Sequence, residues 1–145
     1  FADGQAYSRP GFRHEAVSGL QCMEWGLDPL VVWLVTSHHG QIITQFRSLR
    51  EGIDTEPSCC GVVSGDVVPP VRGAWRRDIP KPPSIHLKPG FCLPETRLKL
   101  PWEFPASERY ETMFDELWDE YGPLVLATLH SLVRISDHLS SEFRS

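Results

Sequence analysis

Val31-Val32-Trp33-Leu34-Val35-Thr36-Ser37-His38-His39-Gly40 is a run of large apolar side chains that ends in two imidazoles and a glycine. The apolar part is long enough for a buried helix of about three turns. Gly40 falls where such a helix would stop, because glycine takes the left-handed position after a helix end without a Cβ penalty. His38 and His39 therefore stand where an apolar helix leaves the core. Neutral imidazole is the commonest protein ligand for metal ions. The simpler alternative is that one histidine caps the helix and the other is solvated.

Upstream, Asp28 is a good N-cap and Pro29 a good first helical residue, so the helix is expected over Pro29 to His39. Gly26 separates it from an earlier helix, Phe12 to Glu24, in which Phe12, Ala16, Val17, Leu20 and Met23 recur at helical spacing. His14 and Glu15 lie in that first turn, where an acid suits the helix dipole. Two helices joined this closely pack antiparallel or at a steep angle. In an antiparallel hairpin the start of the first meets the end of the second, so His14, His38 and His39 could converge.

Downstream, residues 41–105 change character. Ten of the thirteen prolines lie between Pro57 and Pro105, and no apolar period persists beyond Ile42, Ile43 and Phe46. We expect an irregular insertion of short extended or one-turn pieces. Loops this long are uncommon in compact domains unless functional or disordered. Arg72, Arg76, Arg77, Lys81, Lys88, Arg97 and Lys99 stand against only Asp78 and Glu95, a local net charge of +5. With Trp75 among them, the pattern suits a single strand of nucleic acid, with phosphates on the cations and a base on the ring. The alternative is a solvated loop whose cations pair with acidic helices.

Residues 106–121 read as an acidic amphipathic helix. Ser107 is its expected N-cap, Tyr110, Met113 or Phe114, Leu117, Trp118 and Tyr121 its buried side, and its carboxylates a solvated face. Gly122-Pro123 interrupts it. A last helix follows, apolar almost all round through Ile135 and so expected to be central. His130 and Asp137 lie seven residues apart on nearly the same face. A buried carboxylate at Asp137 would need an ion pair, with Arg13 or Arg134, or a metal.

The totals set bounds. The chain has 145 residues, five tryptophans, a net charge of −5 and a pI near 5.6. That suits one folded domain with a substantial core and excludes a general polyanion binder. No membrane span or signal peptide is visible, and Cys22, Cys59, Cys60 and Cys92 do not form a disulfide framework, so a reducing cytoplasmic setting is expected. A zinc site on Cys22, Cys59 or Cys60, and Cys92 would lack any Cys-x-x-Cys spacing. Phe1 in place of an initiator Met is what a fragment or a processed product would present.

Taken together, Phe12-Arg13-His14-Glu15-Ala16, Trp33 to Gly40, Tyr121 to Ala127 and Leu132-Val133-Arg134-Ile135-Ser136-Asp137-His138 resemble the HD nuclease domain of the CRISPR-associated helicase–nuclease of type I systems. The proline-rich insertion and Trp102-Glu103-Phe104 are most similar to its type I-G (I-U) branch. The resemblance implies an all-α, HD-domain-like helical bundle with a long basic insertion, and divalent metal (Mn, Mg, Co, Ni or Zn) held between helices. By position, His14, His38 and His39 match second-metal ligands, and Asp137 matches the closing ligand of the first metal. The implied reaction is two-metal cleavage of single-stranded DNA, in partnership with a CRISPR effector complex or the rest of the helicase–nuclease. Arg72, Trp75, Arg76, Arg77, Lys81 and Lys88 are the expected DNA contacts. The family's earlier His and His-Asp pair are missing, since no His-Asp dipeptide occurs here. The expectation is therefore a partial or degenerate module with weak or no cleavage alone, or a non-catalytic scaffold in the same assembly. A small-molecule phosphohydrolase fits less well, because a nucleotide pocket needs no extended basic loop.

Overall fold

Helix α2, Pro29–Ser37, begins as its sequence dictates: the Asp28 carboxylate accepts from the Leu30 amide at 2.8 Å, and Pro29 occupies the first turn. In the computed structural model, residues 11–39, 46, 57–72 and 92–142 are described. Gly40, expected to end this helix, lies outside them. The helix stops at Ser37, so His38 and His39 sit in the turn beyond it rather than in its last turn.

Helix α1, His14–Glu24, starts two residues later than expected. Phe12 and Arg13 are held outside the helix, because the Arg13 amide donates to the carbonyl of Cys60 at 3.1 Å. That carbonyl belongs to the tip of a hairpin between β1, Ser58–Cys59, and β2, Val62–Val63. Cys60 and Gly61 both have positive φ (51° and 74°), the pair of conformations a tight two-residue hairpin needs. Gly61 also lies against the Phe12 backbone, where a Cβ would collide.

Four more short strands form an arm. β3, Val67–Val68, pairs antiparallel with β6, Thr96–Arg97, and β4, Val71–Arg72, pairs with β5, Cys92–Leu93. Both ladders share one register, so they are a single hairpin arm interrupted at Pro69-Pro70, which have no amide hydrogens to give. The arm docks on the far end of α1. Gln21 Nε2 and Trp25 Nε1 donate to Thr96 Oγ1 at 3.2 and 3.1 Å, and Lys99 pairs with Glu24 at 3.2 Å. The described part of segment 41–105 consists of short paired strands and single turns.

Helix α3 spans Tyr110–Glu142 and breaks at Gly122 (φ 73°, ψ 164°), with Pro123 opening its second half. Ser107 does not cap it. Ala106–Glu108 is a separate turn of 3₁₀ helix, and extended Arg109 precedes the α-helical start. Tyr110 and Leu117 face inward, but Trp118 (47% exposed) and Tyr121 do not. The second half is not central either. Leu126 and His130 are buried, whereas Leu124 is 80% exposed and Leu132 and Ile135 are 56% exposed. The described chain covers only one face of this helix, so its all-round apolarity is two stripes, one packed and one open.

The core lies among α1, α2, the arm and the start of α3, with Leu20, Val32, Trp33, Val62, Leu98, Leu100 and Tyr110 almost fully enclosed. Gly19 lets α1 approach α2 closely, since a Cβ there would strike Thr36, whose hydroxyl is tied to the Val32 carbonyl at 2.6 Å. The described residues are mostly helical, in keeping with the all-α expectation, with the small antiparallel ladders beside the helices.

Candidate metal centre

The antiparallel approach of α1 and α2 brings the first residue of one helix to the end of the other. His14 and His39 rings lie 4.5 Å apart between centroids, His14 and His38 5.6 Å, and His38 and His39 4.0 Å. One nitrogen from each falls within 4.8 Å of the others. Among the described residues no other group of three or more histidine, cysteine or carboxylate side chains meets this way.

Local chemistry prepares these rings as ligands. His38 Nδ1 donates to the Val35 carbonyl at 2.6 Å, which places its proton on Nδ1 and leaves Nε2 as a lone-pair donor. Burial, and then the neighbouring His39, hold the His14 imidazole below its ordinary pKa, favouring the neutral form that binds metal. His14 Nδ1 stands 3.7 Å from the Glu15 carboxylate. Glu15 is itself buried and bonded to Arg13 at 2.6 Å. Burial works against its charged form, but its own backbone amide and the Arg13 guanidinium outweigh that and hold the carboxyl below its usual range.

His14 Nε2 and His39 Nε2 are 2.5 Å apart. Two lone pairs at that separation repel, and a shared proton or a cation between them would relieve the repulsion. Ion–nitrogen bonds of about 2.0–2.1 Å place neighbouring ligand nitrogens about 3 Å apart or more, so the His14 and His39 rings would part by about half an ångström or more around an ion. This donor set fits a divalent cation.

Asp137 joins the triad from α3, with Oδ2 3.6 Å from His39 Nδ1. Its side chain is 45% exposed, which corrects the expectation of a buried carboxylate. Arg13, one expected partner, goes to Glu15 instead. His130, on the same stripe as Asp137, does not reach the cluster. It is buried, and its Nε2 donates to the Ser37 carbonyl at 2.9 Å, tying α3 to the end of α2. Ser131, Arg134 and His138 also line the cavity, of about 860 Å³, with the triad and Asp137. Their i, i+3, i+7 spacing is the signal that could have placed them there.

The expected nucleic-acid contacts Trp75, Arg76, Arg77, Lys81 and Lys88 lie outside the described residues. Arg72 lies on β4, where its backbone pairs with Cys92. At Lys99 the cation is taken by Glu24 and by the Phe104 ring, 5.3 Å from its centroid. The root of the arm meets the C-terminal end of α1, about 15 Å along that helix from His14 at 1.5 Å per residue. No cysteine belongs to the metal-ligating cluster. Comparison with models of known families, with curated proteins and with solved structures found no match.

Proposed function

We propose that this chain is part of a metal-dependent HD-type nuclease module acting on single-stranded DNA in CRISPR interference. The observation that carries the reading is the meeting of His14, at the start of α1, and His38 and His39, in the turn after α2, with Asp137 from α3. These four match the later part of the ligand series of the family that the sequence resembles, in the same order, without its earlier His and His-Asp pair. His14, His38 and His39 would hold the cation, and Asp137 would serve the module's other ion. A divalent ion bound there supplies a Lewis acid and a water of lowered pKa. The chain's own residues orient the donors: Val35 fixes His38, and Glu15 stands behind His14. Without a His-Asp pair, the chain alone is expected to bind a cation but to cleave DNA weakly or not at all.

A second reading, a non-catalytic interaction subunit of the same assembly, is favoured by the open face of α3. Val125, Thr128, Leu132, Ile135 and Leu139 follow a 3-4-3-4 spacing and are all exposed, which suits packing against another helix. A nuclease assay on single-stranded DNA with Mn²⁺, with and without an added segment carrying His-Asp, separates the two. Cleavage that appears only with the segment supports a nuclease part. Metal binding without cleavage in either case supports the scaffold, and no binding of Mn, Co, Ni or Zn overturns the ligand assignment.

A further inference from the structure

Asp137 and Arg134 are three residues apart on α3, the spacing at which a helix pairs opposite charges. They do not pair. The Asp137 carboxylate faces His39, and Arg134 has no ion pair among the described residues. Arg134 nevertheless lines the same cavity as the histidine triad. Ser131, one turn back, turns its hydroxyl to the Ala127 carbonyl at 2.8 Å, so its proton is already spent. Asp137 is the one carboxylate among the cavity's described lining residues, against Arg134 and four imidazoles. A guanidinium stays charged at any physiological pH, and its planar fork matches two oxygens of a phosphate. Ile135 and Leu139, both half-exposed, line the cavity with it and offer no competing charge.

We propose that Arg134 is the centre of an anion subsite next to the triad, which takes a non-bridging phosphate oxygen of a phosphate ester. The proposal rests on the reading of the triad as a cation site, and it adds the group that positions the substrate's phosphate against that site. Arg134 binds rather than transfers protons, and Asp137, whose carboxylate faces His39 at 3.6 Å, makes no ion pair with it.

The test uses the full chain, titrated with inorganic phosphate and separately with a short single-stranded deoxyoligonucleotide, each with and without Mn²⁺. Affinity is read by calorimetry and by the imidazole Cε1 proton shifts. Arg134→Gln should weaken phosphate binding about tenfold or more. Arg134→Lys should keep part of that affinity, and Mn²⁺ affinity should stay within about twofold for both variants. Loss for phosphate and oligonucleotide alike supports the subsite and identifies the backbone phosphate as its ligand. Unchanged phosphate affinity in Arg134→Gln overturns the proposal, as does an equal loss of Mn²⁺ affinity, which would mark a structural role. Arg134-dependent phosphate binding in a protein that binds no metal would sink the cation reading and leave the subsite standing.

Discussion

His130 Nε2 donates to the carbonyl oxygen of Ser37 across 2.9 Å, so a buried side chain of α3 secures the residue immediately before the histidine pair. The bond joins positions 93 residues apart. It satisfies a carbonyl that α2 leaves open at its end. His130→Phe should therefore cost about 1–3 kcal/mol in urea unfolding, the penalty of an orphaned buried acceptor. It should also weaken Mn²⁺ binding about tenfold, the usual size of an outer-shell effect on a metal site. Reduced stability with unchanged metal affinity would show that the bond does not position the triad.

Removing a ligand should act more directly. His14→Ala, His38→Ala and His39→Ala should each lower Mn²⁺ or Ni²⁺ affinity by more than about tenfold in calorimetric titration. His38→Ala should have little effect on the urea midpoint, because the ring is half-buried and its Nδ1 bond is local to its own helix end. Wild-type affinity in all three variants would remove these residues from the site.

The lowered pKa of His14 has a definite sign. The folded protein resists protonating this ring, while the unfolded chain takes up its proton near the ordinary value of 6.5. The stability contributed is fully present above 6.5 and is lost as pH falls from there through the folded value. The urea midpoint should decline as pH falls below about 6.5, and His14→Gln should flatten that slope. Cation affinity should fall over the same range as protons compete for the imidazoles. A midpoint that rises on acidification would contradict the assignment.

Gly19 is the contact point of α1 on α2. Gly19→Ala should destabilise the fold by about 1–3 kcal/mol through overpacking against Thr36. Combining it with Thr36→Ala, which vacates the space, should recover part of the loss. A double mutant no more stable than Gly19→Ala alone would mean the strain lies elsewhere.

Cys60 should be a reactive thiol. A hydrogen bond from Cys59 outweighs the effect of burial and, with the Arg13 guanidinium, lowers its pKa below the usual thiol range. Giving that bond, together with burial, pushes Cys59 far up, and burial pushes Cys22 up. Alkylation followed by peptide mass spectrometry should label Cys60 in the native protein at a lower pH than an ordinary thiol, and Cys22 and Cys59 only after unfolding. Cys59→Ala should move the Cys60 midpoint upward. Equal labelling of Cys22, Cys59 and Cys60 in the native state would contradict this arrangement.

Local signals placed most of the framework. Asp28-Pro29 marks the start of α2, the spacing of Ala16, Val17 and Leu20 marks α1, and Gly122-Pro123 marks the break in α3. Each is a short-range effect of capping, periodicity or backbone conformation, so it can be read along the chain. Convergence of His14 on His38 and His39 was legible too, because it needs only two adjacent helices and a short turn. The misreadings at Ser107, Trp118 and the second half of α3 share one cause. Apolarity and capping chemistry show what a residue can do, but burial depends on which other surfaces arrive.

The sequence by itself determined the helices, the proline-rich interruption and the three imidazoles at one end of a helical hairpin, because those follow from neighbours within a few turns. Only the tertiary structure decided the fate of the remote groups. Asp137 turned to His39 rather than to an arginine, His130 was drawn inward to Ser37, and Arg134 was left facing the cavity. Those outcomes depend on how α3 lies across the end of α2, a long-range packing choice that local spacing does not encode.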